Sequence, residues 1–89
     1  MTYELRLPAD FGDYAWEVEA KGWFPADVTA PDGTTYRVTF YDPVRLRHDV
    51  EADLAAGRTV PIARLIVVER VTADHMARAV ARLPESFFR

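Results

Sequence analysis

The chain is predicted to fold as a small single-domain α+β protein, an antiparallel sheet with helices packed on it. Three observations predict this. Residues 2–7 alternate apolar and polar, two further alternating runs flank Asp32-Gly33, and the segments after Asp42 and Thr72 switch to apolar positions three to four residues apart. The size fits one core: 89 residues, 49% of them hydrophobic, with eleven aromatic side chains. At this mass folding buries roughly 64% of the unfolded chain's surface, so residues 1–89 are read as a single domain.

Each element has its own local reason. In residues 2–7, Tyr3, Leu5 and Leu7 share one side, Thr2, Glu4 and Arg6 the other, and Pro8 stops the strand. Residues 10–21 admit two readings. As a helix, Asp10 is the N-cap, Phe11, Tyr14, Ala15 and Val18 make an apolar stripe, and Gly22 supplies the left-handed stop. As a strand, Trp16, Val18 and Ala20 alternate with Glu17, Glu19 and Lys21. Helix is favoured because its start and stop signals agree with its stripe, whereas alternation covers only the second half.

Residues 24–30 and 35–41 form a hairpin around Asp32-Gly33, with Tyr36, Val38 and Phe40 facing one way and Arg37, Thr39 and Tyr41 the other. Asp42-Pro43 then opens a helix over 43–56, where Leu46, Val50 and Leu54 recur every four residues until Gly57. Residues 62–71 include Leu65, Ile66, Val67 and Val68 in succession, which predicts a central strand covered on both faces. Thr72 caps a helix over 73–83 with Met76, Val80 and Leu83 inward, and Pro84 ends it. In the tail, Phe87 and Phe88 either fold back on the core, the commoner outcome for such pairs, or form an association patch. With 10–21 helical, the first six elements follow the split βαββαβ order called ferredoxin-like, with one added C-terminal helix; with it extended, the chain begins as an antiparallel meander.

Composition narrows function mainly by exclusion. There is no cysteine, so disulfide scaffolds and cysteine-ligated metals are ruled out. No apolar stretch reaches 18 residues and no signal-like segment opens the chain, which predicts a soluble cytoplasmic protein without membrane contact. Arginine outnumbers lysine ten to one and alanine is abundant, a bias typical of GC-rich bacterial coding. The net charge of -3 argues against nucleic acid as a partner. It also hides a gradient: residues 1–35 carry seven acids against Arg6 and Lys21, whereas residues 36–89 carry nine arginines against seven acids. Segments seldom map cleanly onto faces, but where they do such a gradient polarises the surface.

Catalytic motifs are missing. The single serine, Ser86, lies in the tail outside any nucleophile elbow, and the four glycines are too dispersed for a phosphate loop. His48 and His75 lack partners in a zinc-binding spacing, so both read as solvated residues and no metal is expected. The acids Asp10, Asp13, Glu17 and Glu19 suit the outer face and first turns of a helix better than an acid–base pair. Arg45/Asp49, Arg47/Glu51 and Asp74/Arg78 stand four apart and serve as surface support. Arg78, Arg82 and Arg89 make a short basic stripe, too small for nucleic acid.

What remains is recognition. Asp10, Asp13, Glu17 and Glu19 lie beside Trp16 and Trp23, and Tyr41, Phe87 and Phe88 add aromatic surface; these nine residues are the candidate interface. Acidic steering with aromatic anchors describes a non-enzymatic protein-binding module, of the inhibitor or immunity type, that contacts a basic partner. The alternative is a homo-oligomeric regulatory or small-ligand-binding domain paired through a sheet edge or the tail. A small carboxylate–histidine enzyme is the least supported class, and no cofactor is expected.

Overall fold

The computed structural model of the chain describes residues 2–88. In order they form β1 (Glu4–Arg6), α1 (Phe11–Lys21), β2 (Trp23–Thr29), β3 (Thr35–Tyr41), α2 (Pro43–Ala55), β4 (Leu65–Val67) and α3 (Ala73–Ala81), followed by a 3-10 turn over Glu85–Phe88. The α+β class and the helical reading of residues 10–21 hold. Gly22, at φ +78°, ends α1 by donating its N–H to the Val18 carbonyl. At the other end Asp10 makes no side-chain cap; backbone bonds to the carbonyls of Pro8 and Asp10 start the helix instead.

The sheet order is β1-β2-β3-β4, antiparallel in the first two pairings and parallel in the third. This corrects the ferredoxin-like expectation. A split βαβ unit places a third strand between the two that a helix connects, yet here β3 and β4, joined through α2, are direct neighbours. The α1 connection likewise returns to an adjacent antiparallel strand. The expected central strand is a second correction: β4 has three residues and lies at the sheet edge. Its run is apolar on both sides because Ile66 joins the core while Val67, facing away, stays 48% exposed.

Register decides what is buried. Leu5 pairs with Val28, Val28 with Tyr36, Ala26 with Val38, Phe24 with Phe40, and Phe40 with Ile66, so one sheet face carries a continuous apolar surface. Phe11 and Val18 of α1 and Met76 and Val80 of α3 close that face, with Val28, Val38, Phe40, Val71 and Met76 fully buried. Thr72 caps α3 by accepting from the His75 N–H at 3.1 Å. The tail folds back: Phe88 stacks on Tyr36 at 4.2 Å and meets Tyr3 edge-on at 5.1 Å.

The opposite face is largely polar and open. It carries the cross-strand Asp27–Arg37 pair at 3.1 Å and the Arg6–Thr29 hydrogen bond. On this side α2 contributes no buried residue, and its stripe of Leu46, Val50 and Leu54 lies outside the core, with Leu54 59% exposed. The stripe is therefore half-buried at Leu46 and Val50 and exposed at Leu54, apart from the main core. The resulting body is flat, 41 × 33 × 18 Å, and its radius of gyration of 13.6 Å exceeds the value of about 12 Å expected of a rounder domain of this length.

Gly22 joins both helices to the sheet. A Cβ placed there would sit 2.5 Å from Asp42 Oδ2 and 2.8 Å from Arg45 Cβ. Gly22→Ala is expected to destabilise the fold by at least the roughly 1–3 kcal/mol of left-handed strain, read as a lower urea midpoint at unchanged slope.

Candidate interaction surface

The structure divides the nine candidate residues into two groups. Asp10, Asp13, Trp16, Glu17 and Glu19 are all exposed on or beside α1, whereas Trp23, Phe87 and Phe88 are half-buried and Tyr41 is buried. Trp16, Glu19 and Ala20 stand three and four apart on the regular part of α1 and share one side; Asp13 precedes a kink at Tyr14 (φ -130°), and Glu17 turns to a separate hollow beside Trp23. That side is free because Phe11, Tyr14, Ala15 and Val18 are the residues turned to the core. Trp16 is 69% exposed. An indole kept this open buries only a minor part of its large apolar surface, so folding of this chain alone gives little reason for it.

The surface continues past the end of α1. Ala20 and Lys21 line a shallow hollow with Asp42, Val44, Arg45 and His48 from the start of α2. Val44 is 80% exposed there. Sequence reasoning passed over Val44 because it lies outside the Leu46-Val50-Leu54 stripe; only the tertiary approach of the two helices at Gly22 reveals it. Trp16, Ala20 and Val44 therefore supply the apolar part of a surface rimmed by acids on α1 and by Lys21, Arg45 and His48 on the other side. Glu19 is partly neutralised by Arg70, 3.9 Å away. Of the seven acids in residues 1–35, Asp10, Asp13, Glu17 and Glu19 lie on or beside α1, whereas Glu4, Asp27 and Asp32 lie on β1, β2 and the hairpin turn.

The second group is structural in its contacts. Trp23 stacks on Tyr41 across the β2–β3 pair, with centroids 6.4 Å apart. The Tyr41 hydroxyl donates to Asp49 Oδ2 at 2.9 Å, and Arg45 Nε donates to Asp49 Oδ1 at 2.8 Å. Arg45 also donates to the Lys21 carbonyl at 3.2 Å, and the exposed His48 ring lies 3.3 Å from Asp49. Tyrosine, carboxylate, arginine and histidine together resemble a reaction centre in composition. Their polar atoms, however, point at one another and tie α2 to the sheet end. Among the described residues, no group of three or more His, Cys, Asp or Glu side chains is placed to hold a metal ion.

On the basic side, Arg78 pairs with Asp74 at 2.8 Å and Arg82 is exposed, while Arg89 lies outside the described residues. His75 turns inward to Thr72 Oγ1 at 2.7 Å. Among the described residues, no helix is long and apolar enough to cross a membrane.

No family model matches the chain, and no curated protein or solved structure is similar enough to be matched to it.

The tie has a pH signature. Burial raises the Asp49 pKa, but the hydrogen bonds from Tyr41, His48 and Arg45 and the Arg45 charge outweigh it, leaving Asp49 below the ordinary carboxylate value. Burial, with the Asp49 carboxylate beside it, moves Tyr41 upward. A depressed carboxylate contributes stability above its unfolded pKa, near 4, and loses it as pH falls through the folded value. The stability difference between the parent and Asp49→Asn should accordingly be full at pH 7 and shrink below about pH 4, as measured by urea titrations across that range.

Proposed function

We propose that this protein is a non-enzymatic binding module that recognises a basic protein partner through the outer face of α1. The observation that carries the reading is Trp16, an exposed indole on the side of α1 that also carries Glu19, on a helix whose other side is fixed in the core. A rigid aromatic anchor gives contact area at small entropic cost, and surrounding carboxylates accelerate encounter with a cationic surface. Val44 and Ala20 extend the apolar centre, and the charged rim sets orientation. An inhibitor or immunity-type role suits such a surface, since blocking a basic toxin or nuclease requires tight contact and no chemistry.

The test starts from proteins captured by the immobilised chain in extract of its source organism, each then purified and measured individually. At least one basic protein should associate at a rate that falls as salt is raised. Trp16→Ala, with unchanged circular dichroism and urea midpoint, should weaken that complex by more than about 1 kcal/mol. Equal binding to the parent and Trp16→Ala, or a salt-independent association rate, refutes the reading.

A second reading, self-association, is favoured by the sheet edge at β4, where Val67 is half exposed. Sedimentation equilibrium separates it from the first. A dimer that Val67→Lys dissolves supports it, and a monomer at millimolar concentration removes it.

A further inference from the structure

At the hairpin end, remote from the α1–α2 junction, Tyr3, Ala30, Pro31, Asp32, Tyr36, Glu85 and Phe88 line a hollow of about 300 Å³. Three of these side chains are aromatic and both charged ones are acidic. Phe88 holds the rings together by stacking on Tyr36 at 8° between planes and meeting Tyr3 at 66°. The Tyr3 hydroxyl donates to the Glu85 carbonyl at 3.2 Å, fixing the 3-10 turn against the start of β1. Asp32 is positioned by its own turn: its Oδ1 accepts from the Thr34 N–H at 2.9 Å, a bond that also lowers its pKa. One cation already lies against this ring pair from outside the hollow. The Arg64 guanidinium is 5.3 Å from the Tyr36 centroid and 5.9 Å from that of Phe88, within the range of cation–π attraction. Arg64 is also the one described non-glycine residue with positive φ, at +48°.

We infer that this hollow is a binding site for an organic cation, an alkylammonium or guanidinium group that enters beside Asp32 and rests on the rings of Tyr3, Tyr36 and Phe88. Aromatic walls suit a weakly hydrated cation with methyl or methylene groups, whose desolvation is cheap, and the carboxylate supplies the charge preference. At the lower end of small-ligand pocket volumes, the hollow has room for such a group with part of the molecule that carries it. The group can belong to a free small amine or to a lysine or arginine side chain of a polypeptide. The inference is independent of the α1 surface, since no residue is shared.

The test is aromatic NMR of the full chain titrated with choline, with methylguanidinium, and with 3,3-dimethylbutan-1-ol, the uncharged counterpart of choline. Both cations should give saturable shifts of the Tyr3, Tyr36 and Phe88 rings, and the alcohol should bind about tenfold more weakly. Asp32→Asn removes the charge while keeping an oxygen for Thr34, and it should weaken the cations about two- to fivefold while leaving the circular dichroism of the fold unchanged. Trp16→Ala should leave the titration unchanged, which separates this site from the α1 surface. Capped Gly-Lys-Gly and Gly-Arg-Gly peptides identify the source: tighter binding than the small probes assigns the site to a polypeptide side chain, and equal or weaker binding assigns it to a free amine. Absence of saturable ring shifts, equal affinity for the alcohol, or unchanged affinity in Asp32→Asn overturns the inference.

Discussion

The architecture depends on a single crowded point, the backbone at Gly22. Its N–H closes α1 on the Val18 carbonyl, and its own carbonyl accepts from the Asp42 N–H at 2.8 Å. One residue therefore ends the first helix, leads into β2, and pins the cap of α2 to the end of α1. Asp42 is occupied on both sides, since its Oδ1 also accepts from the Arg45 N–H at 2.7 Å. A side chain at position 22 would have to occupy the space that this cap uses. Close approach of two helix termini, more than any helical propensity, aligns the hairpin with the elements on either side of it.

From that point the two faces of the sheet follow different physics. On the α1 and α3 face, register puts Val28, Val38 and Phe40 on one side of the sheet, in one buried cluster with Met76 and Val80, and burial of apolar area stabilises the arrangement. On the other face the attachment of α2 is mainly polar: the Tyr41–Asp49–Arg45 tie, the Asp42 cap, and the reach of Arg45 to the Lys21 carbonyl. Hydrogen bonds to charged groups compensate for the missing packing. The same arrangement explains why an apparently chemical cluster belongs to the scaffold, and why Val44 is left facing solvent.

Much of the fold was legible in the sequence wherever the signal was local. Asp32-Gly33 between alternating runs defined the hairpin, Asp42-Pro43 and Thr72 marked the helix starts, and Gly22 marked a helix end. What resisted was non-local. The apolar run through Val67 is the same whether a strand lies at the centre or at the edge, because alternation does not record how many neighbours a strand has. The Leu46-Val50-Leu54 period likewise specifies a stripe without specifying what covers it. Of the candidate surface, the acidic face around Trp16 followed from helical spacing. The contribution of Val44 and the enclosure of Tyr3, Tyr36 and Phe88 arise between segments distant in sequence.

The shallow seating of α2 also bears on how such a chain can diversify. Eight of its thirteen positions are exposed and can change without opening a void; no large side chain of this helix is fully enclosed. Substitutions along its outer side meet solvent, so selection there is released from the demands of close packing. The crossover between β3 and β4 is in that sense a writable margin, where recognition properties can drift while the folded body stays the same.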